Sequence, residues 1–439
     1  MKLFDGRVRW LLIFWVFLMS AIAFLDRVNI SIAGQAVQKE FALSDQQLGW
    51  VFSAFVIGYA LFQAPGGRLA DRFGPRLVIT LGVVWWGVFT TATALVPPGF
   101  RLALVLLIAT RFVLGLGEAV VYPSSNRLVA NWIPSAERGI ANGWIFCGVG
   151  AGAGITPPLI TFILVNWGWR WSFYFSALIG LAAGAVWYLL ARDTPQSHPW
   201  MSERELAHIR AGLPEPASDA DARKPLPLRV IAADRNFLAI TLSYFTFGYI
   251  AYIFFTWFFI YLSRVRGLNL KASALYSMLP FIAMASCSAL GGWIADILTK
   301  RYGRRVGRCG VAVFGIGFSA VFIALATQVQ SAELASVVLA GGAGALYLSQ
   351  SAFWAVSADI AGPSAGFVSG LMNMGCQIAG AITASLTPWI AYRFGWTASF
   401  LVAAALCAVG AVSWLFVNPD ARIGGGEAPL PAETQRRRA

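Results

Sequence analysis

The sequence is poor in charged residues. Aspartate, glutamate, lysine and arginine make up only 12% of its 439 residues, whereas 58% are hydrophobic. A soluble globular domain carries about 25% charged residues. This composition therefore predicts a membrane protein rather than a soluble one.

Cysteine and histidine are scarce as well. The two histidines, His198 and His208, lie in the longest polar stretch, so a histidine-based metal or catalytic centre within the apolar part of the chain is excluded. The cysteines show no paired spacing, and we expect neither disulfides nor a metal site. They stand at positions 147, 287, 309, 376 and 407.

Long apolar runs are abundant. Twelve runs reach the length of about 20 residues that an α-helix needs to cross a bilayer. They predict an all-α membrane protein with twelve transmembrane helices. The runs are 10–35, 46–66, 76–97, 102–131, 138–165, 170–191, 236–264, 272–297, 307–328, 332–358, 363–392 and 396–418.

The longest polar stretch separates six runs from six. Within it, Ser202 and Glu205 form a capping box that predicts a short surface helix. The glycine- and proline-rich C-terminus predicts disorder. The predicted parts are an N-terminal six-helix half (1–191), a cytoplasmic linker with the short helix (192–235), a C-terminal six-helix half (236–418) and a disordered cytoplasmic tail (419–439).

The net charge of +13 follows the predicted topology. With an even number of spans both termini lie on one side, and the loops of that side carry most of the lysine and arginine. The positive-inside rule then places both termini in the cytoplasm. The charge thus indicates topology and contact with the lipid bilayer, and it does not indicate nucleic acid as a partner.

A loop pattern occurs once in each half. The segment after the second run reads GRLADRFGPR at 67–76, and the segment after the eighth reads GWIAD at 292–296, so a Gly-x-x-x-Asp unit is repeated. Two six-helix halves with matched loops indicate a duplicated carrier, with its substrate between the halves.

The 67–76 segment resembles the loop signature of the major facilitator superfamily, G-x-L-a-D-R-x-G-x-[RK], and the resemblance covers nearly the whole chain. An acid in such a turn can accept hydrogen bonds from a helix N-terminus of the other half, or pair with a basic residue there. We interpret the pattern as a conformational latch; the alternative is a solvated loop that only fixes topology. The latch residues are Gly67, Asp71, Arg72, Gly74 and Asp296.

Four ionisable residues lie within the predicted spans: Asp26, Arg27, Arg111 and Glu118. A charge at such depth costs roughly 2.5–3.5 kcal/mol and usually marks an ion or substrate path. At 1.5 Å per residue, Arg27 and Arg111 both lie roughly 10–14 Å below the outer surface, within reach of one cavity. Arginine holds an anion and the acids can carry protons, which predicts proton-driven transport of an organic anion. The alternative is a set of buried ion pairs that only hold helices together.

Three further segments narrow the resemblance. FLDRVN at 24–29, RFVLGLGEA at 111–119 and YPSSNR at 122–127 resemble the anion:cation symporter family within that superfamily, and most closely its bacterial galactonate, glucarate and other sugar-acid proton symporters. The resemblance implies that Asp26 and Glu118 are the proton-coupling acids. It implies that Arg27 and Arg111 serve coupling and carboxylate binding.

The same resemblance implies five more substrate-binding residues, which are Tyr59, Tyr252, Ser351, Trp354 and Asn373. Phe24, Val149 and Phe353 depart from the family by replacing polar groups, which predicts a less polar cavity and a less hydroxylated or an aromatic acid. Gln350 fits cavity lining and interhelical hydrogen bonding equally well.

The resulting hypothesis is a multi-pass carrier of the bacterial inner membrane. We expect it to import a small organic anion (a sugar acid, a dicarboxylate or an aromatic carboxylate) by alternating access. It would act as a monomer, be driven by the proton gradient without a cofactor, and be no enzyme. The alternatives are a drug–proton antiporter of the same fold and a membrane receptor that transports nothing.

Overall fold

The protein is all-helical apart from one pair of two-residue strands. The computed structural model describes residues 7–213, 226–258, 261–424 and 426–427. These residues form fifteen α-helices and two strands. The elements are α1 (Val8–Glu40), α2 (Asp45–Phe73), α3 (Pro75–Leu95), α4 (Ala103–Glu118), α5 (Val121–Trp132), α6 (Arg138–Trp167), α7 (Trp169–Leu190), α8 (Glu203–Gly212), α9 (Leu228–Ala233), α10 (Arg235–Thr256), α11 (Leu270–Tyr302), α12 (Val311–Ala326), α13 (Ala332–Leu348), α14 (Gln350–Ala361), α15 (Ala365–Ser413), β1 (Ala421–Arg422) and β2 (Gly426–Glu427).

Glycine ends several helices where the chain must turn sharply. Gly74 between α2 and α3 has φ +85°, and Gly395 has φ +84° inside the long element α15. Only glycine adopts this left-handed region at no steric cost. Gly395 therefore divides α15 into two helices that follow each other without a loop.

Ten segments of the described residues are long and apolar enough to cross a membrane. One of them, Ala332–Thr383, is 52 residues long and contains α13, α14 and the start of α15. Another combines α4 and α5. The all-helical membrane architecture expected from the sequence is thus confirmed in its coarse form.

The most extensive contacts between the two halves lie along two helix pairs. α2 packs on α15, and α6 packs on α11. Small residues allow the backbones to approach closely, as is common between membrane helices. A Cβ atom on Gly67 would collide with the carbonyl of Gly366, and one on Gly292 with the carbonyl of Gly139.

The linker is attached to both halves. The Ser202 hydroxyl accepts the Glu205 N–H (3.3 Å) and so caps α8. The buried Glu205 carboxylate accepts the N–H groups of Val8 and Arg9 at the start of α1, each at 3.1 Å. Beyond the undescribed residues 214–225, Leu226 N–H donates to the Ser364 hydroxyl (2.9 Å) in the C-terminal half. We call the end of the molecule that carries α8, the start of α1 and the α2–α3 turn the linker end.

The first residues after Pro419 are ordered, although the sequence predicts a disordered tail from 419 onward. β1 and β2 pair in antiparallel register. Ile423 is 5% exposed, and its N–H donates to the Ile360 carbonyl at the end of α14 (3.1 Å). The apolar side chain of Ile423 is buried by residues that are distant in the sequence, so the composition of the tail alone does not predict that this part is ordered. The part of the tail from 428 onward lies outside the described residues.

Two acids close the linker end in matched positions. Asp71, at the end of α2, accepts the N–H groups of Gly366 (3.0 Å) and Phe367 (2.9 Å) at the start of α15. Asp296, near the end of α11, accepts the N–H groups of Gly139 (2.9 Å) and Ile140 (2.6 Å) at the start of α6. Each carboxylate thus lies at the positive end of a helix from the opposite half.

Arginines reinforce both contacts. Arg127 belongs to the same half as Asp71 and lies 3.7 Å from the Asp71 carboxylate. It also donates to the Pro363 carbonyl of the opposite half (2.8 Å). Arg308 donates to Asp296 (2.7 Å) and, across the halves, to the Ser135 carbonyl (2.8 Å). A further ion pair, from Arg138 to Asp359, also joins the halves.

The remaining latch residues of the sequence prediction lie elsewhere. Arg72 is exposed and its guanidinium lies over the Phe73 ring (5.1 Å from the centroid). Gly74 forms the α2–α3 turn, where a Cβ atom would collide with the Asp193 carboxylate. Of the predicted latch residues, Asp71 and Asp296 make the contacts between the halves and Gly67 allows the close approach, whereas Arg72 lies over the ring of its neighbour Phe73.

Replacing both acids by asparagine (Asp71→Asn with Asp296→Asn) should open the linker end. A hydrogen bond to a charged group contributes about 1.5–3 kcal/mol, so the equilibrium constant between the closed and the open linker end should fall at least roughly tenfold. The measurement is the distance distribution between spin labels at the exposed positions 72 and 300, one on each half, in a background without native cysteines. Glu203→Gln, an exposed acid on α8, is the control. An unchanged distribution in the double variant would contradict the latch.

Candidate functional site

A cavity of about 340 Å³ lies between the two halves. Half of the residues that line it are aromatic, and both halves contribute. Among the described lining residues the charged ones are Arg27 and Arg111, both from the N-terminal half. A mostly apolar pocket with a few polar groups is typical of a small-molecule site.

Arg27 on α1 is held by an acid and by three rings. Its Nη2 donates to Oε1 of Glu118 at 2.6 Å. Its guanidinium carbon lies 4.3 Å from the centroid of Tyr59, 4.6 Å from that of Phe24 and 5.3 Å from that of Phe55. Ring faces attract a cation, and the attraction is stronger where water is excluded.

Arg111 on α4 is only 1% exposed and has unused donors. Its guanidinium carbon lies 4.8 Å from the centroid of Phe55, so one ring contacts both arginines. In the described part of the chain, its Nε and Nη1 have no hydrogen-bond partner. A buried guanidinium with unused donors favours a ligand that supplies anionic oxygens, such as a carboxylate or sulfonate.

The two acids lie behind the arginines. Asp26 is fully buried and faces α3, where its Oδ2 accepts from the Trp86 indole (2.9 Å) and the Thr90 hydroxyl (3.0 Å). Neither Asp26 nor Glu118 is among the residues that line the cavity. The cavity therefore presents positive charge, and the compensating carboxylates lie one layer deeper.

Neutral amides and aromatic hydroxyls form the polar part of the C-terminal wall. The Tyr244 hydroxyl accepts from Nε2 of Gln350 (2.9 Å) and from the Trp354 indole (3.0 Å). All three residues line the cavity. Gln350 is therefore both a cavity residue and a partner of another helix.

A second amide cluster crosses between the halves. Asn373 Nδ2 donates to Oε1 of Gln63 on α2 (2.9 Å), and Gln377 Nε2 lies 3.4 Å from Oδ1 of Asn373. The Tyr252 hydroxyl donates to Oε1 of Gln377 (2.5 Å). The cluster joins α2, α10 and α15 beside the cavity.

Most of the predicted substrate-binding residues lie at the cavity. Its lining includes Arg27, Tyr59, Arg111, Tyr252, Trp354 and Asn373. Ser351 is an exception, because it is fully buried and is not among the lining residues. Of the three departures from the family pattern, Phe24 and Val149 line the cavity, whereas Phe353 packs against Tyr244 and Trp414 outside it.

Sequence reasoning did not identify Gln377 and left Gln350 undecided. Both follow a helical spacing that could have revealed them. Gln377 comes four residues after Asn373, and Gln350 four residues before Trp354, so each shares a helix face with a predicted site residue.

Comparison with known proteins gives consistent matches. The family model described as Major Facilitator Superfamily matches residues 16–302 and 297–432. The chain is 35% identical to a probable sulfoacetate transporter of Cupriavidus necator over 92% of both chains. It is 30% identical to a hexuronate transporter of Bacillus subtilis, over 95% of this chain and 97% of that protein.

The fold is also similar to a solved structure. It matches the proton:xylose symporter XylE bound to 6-bromo-6-deoxy-D-glucose with a TM-score of 0.77 and 16% identity, over 94% of this chain and 97% of the other. At this identity the match concerns the fold alone.

Trp86→Phe should lower the free energy of unfolding more than Trp132→Phe, which also removes one indole hydrogen bond. The substitution leaves the buried Asp26 carboxylate with one donor fewer, which costs about 1.5–3 kcal/mol for a charged acceptor. The matched control is Trp132→Phe, because Trp132 is equally buried but donates to a neutral acceptor, the Arg192 carbonyl (3.0 Å). The measurement is the free energy of unfolding of both variants in detergent. Equal losses would show that Asp26 does not depend on this bond.

Proposed function

The chain belongs to the major facilitator superfamily, a family of transporters rather than enzymes, and on that premise we propose that it is a proton-coupled importer of a small organic anion. The candidate substrates are a sugar acid, a dicarboxylate and an aromatic carboxylate. The relatives support the anionic character, since they are named for sulfoacetate, hexuronate and galactarate or glucarate.

The proposal includes twelve spans with both termini in the cytoplasm of a bacterial inner membrane. The 52-residue segment Ala332–Thr383 is long enough for two crossings, since one needs about 20 residues. α6, with 30 residues, is also long enough, although it is not among the ten candidate segments. The concentration of basic residues in the loops on the side of the termini supports the orientation.

The observation that carries the proposal is the layered charge at the cavity. Arg111 lines the cavity and has two donors without a partner among the described residues, and Arg27 lines the cavity beside its partner Glu118. An anion bound at Arg111 would also attract Arg27 and weaken its pair with Glu118. The released carboxylate would then bind a proton more readily, so anion and proton would favour each other's binding.

Alternating access then follows from the closed linker end. The cavity lining extends from Tyr122 and Trp354 to Ile30, Thr256 and Ser277, away from the linker end. We infer that the structure represents the state that faces the outside. Loading the site with an anion and a proton removes the charge imbalance that opposes closure of the outer side. Release of the Asp71 and Asp296 contacts would then open the cavity to the cytoplasm.

The antiporter alternative is less compatible with this site. A cationic drug in the cavity would be repelled by Arg27 and Arg111, because these are the charged residues among the described lining. The receptor alternative finds no support in the relatives, which are named as transporters.

Arg111→Ala should abolish anion binding and uptake, since it removes a guanidinium from the lining of the cavity. Arg111→Lys keeps the charge without the planar fork and should bind at least roughly tenfold more weakly than the original. The measurement is a thermal-shift screen of aldonates, aldarates, tartrate and aromatic carboxylates on the purified carrier, followed by uptake into vesicles. Arg170→Ala, which breaks a partly exposed pair with Glu40, is the control. Full affinity in Arg111→Ala would exclude this residue as the anion anchor.

Glu118→Gln should separate exchange from accumulation. The neutral side chain cannot carry a proton, so vesicles should exchange internal for external substrate but not concentrate it under an imposed proton gradient. The measurement compares counterflow with gradient-driven uptake. Uphill uptake by this variant would refute the assignment of Glu118 as the coupling acid.

A further inference from the structure

An apolar groove of about 720 Å³ lies between α2 and α15, on the surface of the helix bundle. Nine of its ten described lining residues are apolar and none of the ten is charged. They are Val56, Ile57, Ala60, Leu61, Gln377, Ile378, Ala381, Ile382, Leu386 and Trp389. Five of these side chains are between 41% and 57% exposed, although both helices contribute to segments that are long and apolar enough to cross a membrane.

The groove lies where α2 and α15 separate. Nearer the linker end the two helices touch, since a Cβ atom on Gly370 would lie 2.4 Å from the Gln63 carbonyl oxygen. The Asn373 amide bonds the Gln63 side chain at the same level (2.9 Å). Further from the linker end, Val56 and Gln377 line both the central cavity and the groove. The gap between the helices therefore continues from the cavity to the surface and opens towards the end opposite the linker end, which we call the outer end.

The length and composition of the groove match a hydrocarbon chain of the membrane. Gln377 and Trp389 are about 18 Å apart along α15 at 1.5 Å per residue. One leaflet is half of a hydrocarbon core that is roughly 30 Å thick. Trp389 lies towards the outer end, and tryptophan is enriched at the boundary between membrane and water. A protein segment with unpaired backbone groups would find few hydrogen-bond partners in this lining, whereas an acyl chain needs none.

We propose that an acyl chain of an outer-leaflet lipid occupies the groove between α2 and α15 and stabilises the outward-facing state. The inference rests on the proposed function for the orientation and the state of the molecule. When the halves rock around the central site, opening of the linker end brings the outer parts of α2 and α15 together. The groove then narrows and the chain has to leave. A ligand that binds one of two states shifts the equilibrium towards that state.

The first test measures whether a lipid occupies the groove. Ala381 lines the groove and is exposed, so Ala381→Trp fills the groove without entering the packed core. The full-length carrier is reconstituted into vesicles of phosphatidylethanolamine and phosphatidylglycerol, extracted in mild detergent and examined by native mass spectrometry. The Ala381→Trp variant should retain one phospholipid fewer than the original protein.

The matched control is Ala182→Trp, because Ala182 is an exposed alanine of α7 that is not among the groove residues. This control should retain as many phospholipids as the original. Equal numbers in Ala381→Trp and the original, including none in either, would overturn the lipid site. A dimer that is lost in Ala381→Trp would also overturn it, because a second copy of the chain would then cover the groove.

The second test measures whether an occupant of the groove stabilises the outward-facing state. The Asp71→Asn, Asp296→Asn variant serves as the background, because its linker end should open. The added indole of Ala381→Trp remains in the groove when a lipid would leave, so it should oppose this opening. Spin labels at the exposed positions 39 and 330 report on the outer end, with one label on each half. The fraction with the shorter distance should fall at least roughly threefold when Ala381→Trp is added, and it should not change with Ala182→Trp. An unchanged distribution with Ala381→Trp would overturn the stabilising role.

The outcomes separate this inference from the proposed function. Neither measurement needs a substrate, so a carrier that fails to take up any organic anion would overturn the proposed function while both results on the groove still hold. Loss of the lipid difference, with anion uptake intact, would overturn the inference alone.

Discussion

The organising constraint of this protein is the cost of charge inside an apolar bundle. Two arginines and two acids lie in helices whose other residues are mostly hydrophobic, and their charges are compensated to different degrees. Glu118 pairs with Arg27, the rings of Phe24, Phe55 and Tyr59 lie against its guanidinium, and α3 donates to Asp26. Among the described residues, Nε and Nη1 of Arg111 and Nε of Arg27 have no hydrogen-bond partner. As a result, the two arginines line the cavity, whereas neither of the two acids is among its lining residues.

The cost of burying charge also applies to the contact between the halves. Asp71 and Asp296 are buried or nearly so, yet each accepts two backbone N–H groups from a helix of the opposite half. The close approach of α2 to α15 and of α6 to α11 depends on glycine, where any side chain would collide with backbone. Both contacts thus combine a carboxylate at a helix N-terminus with an arginine beside it.

The sequence predicts this architecture unevenly, for physical reasons. Charges in apolar runs stand out at once, so Arg27 and Arg111 were identified, and the repeated Gly-x-x-x-Asp pattern located both closing acids. Ser351 was predicted to line the cavity, but it does not. The side of α14 that faces the cavity depends on the tilt and rotation of this helix, which are set by packing against neighbouring helices. Gln350 was undecided because its orientation is set by Tyr244, more than 100 residues away. The fold of residues 419–424 depends on Ile360, a contact that local composition does not encode.

The double attachment of the linker has a mechanical consequence. α8 is fixed to the first residues of α1 through Glu205, whereas Leu226 is fixed to the other half through Ser364. The chain between Gly212 and Leu226 connects these two attachments, and its contour length is about 46–50 Å at 3.3–3.6 Å per residue. Because Glu205 and Ser364 hold opposite ends of the linker, a change in the angle between the halves changes the distance that this segment has to cover.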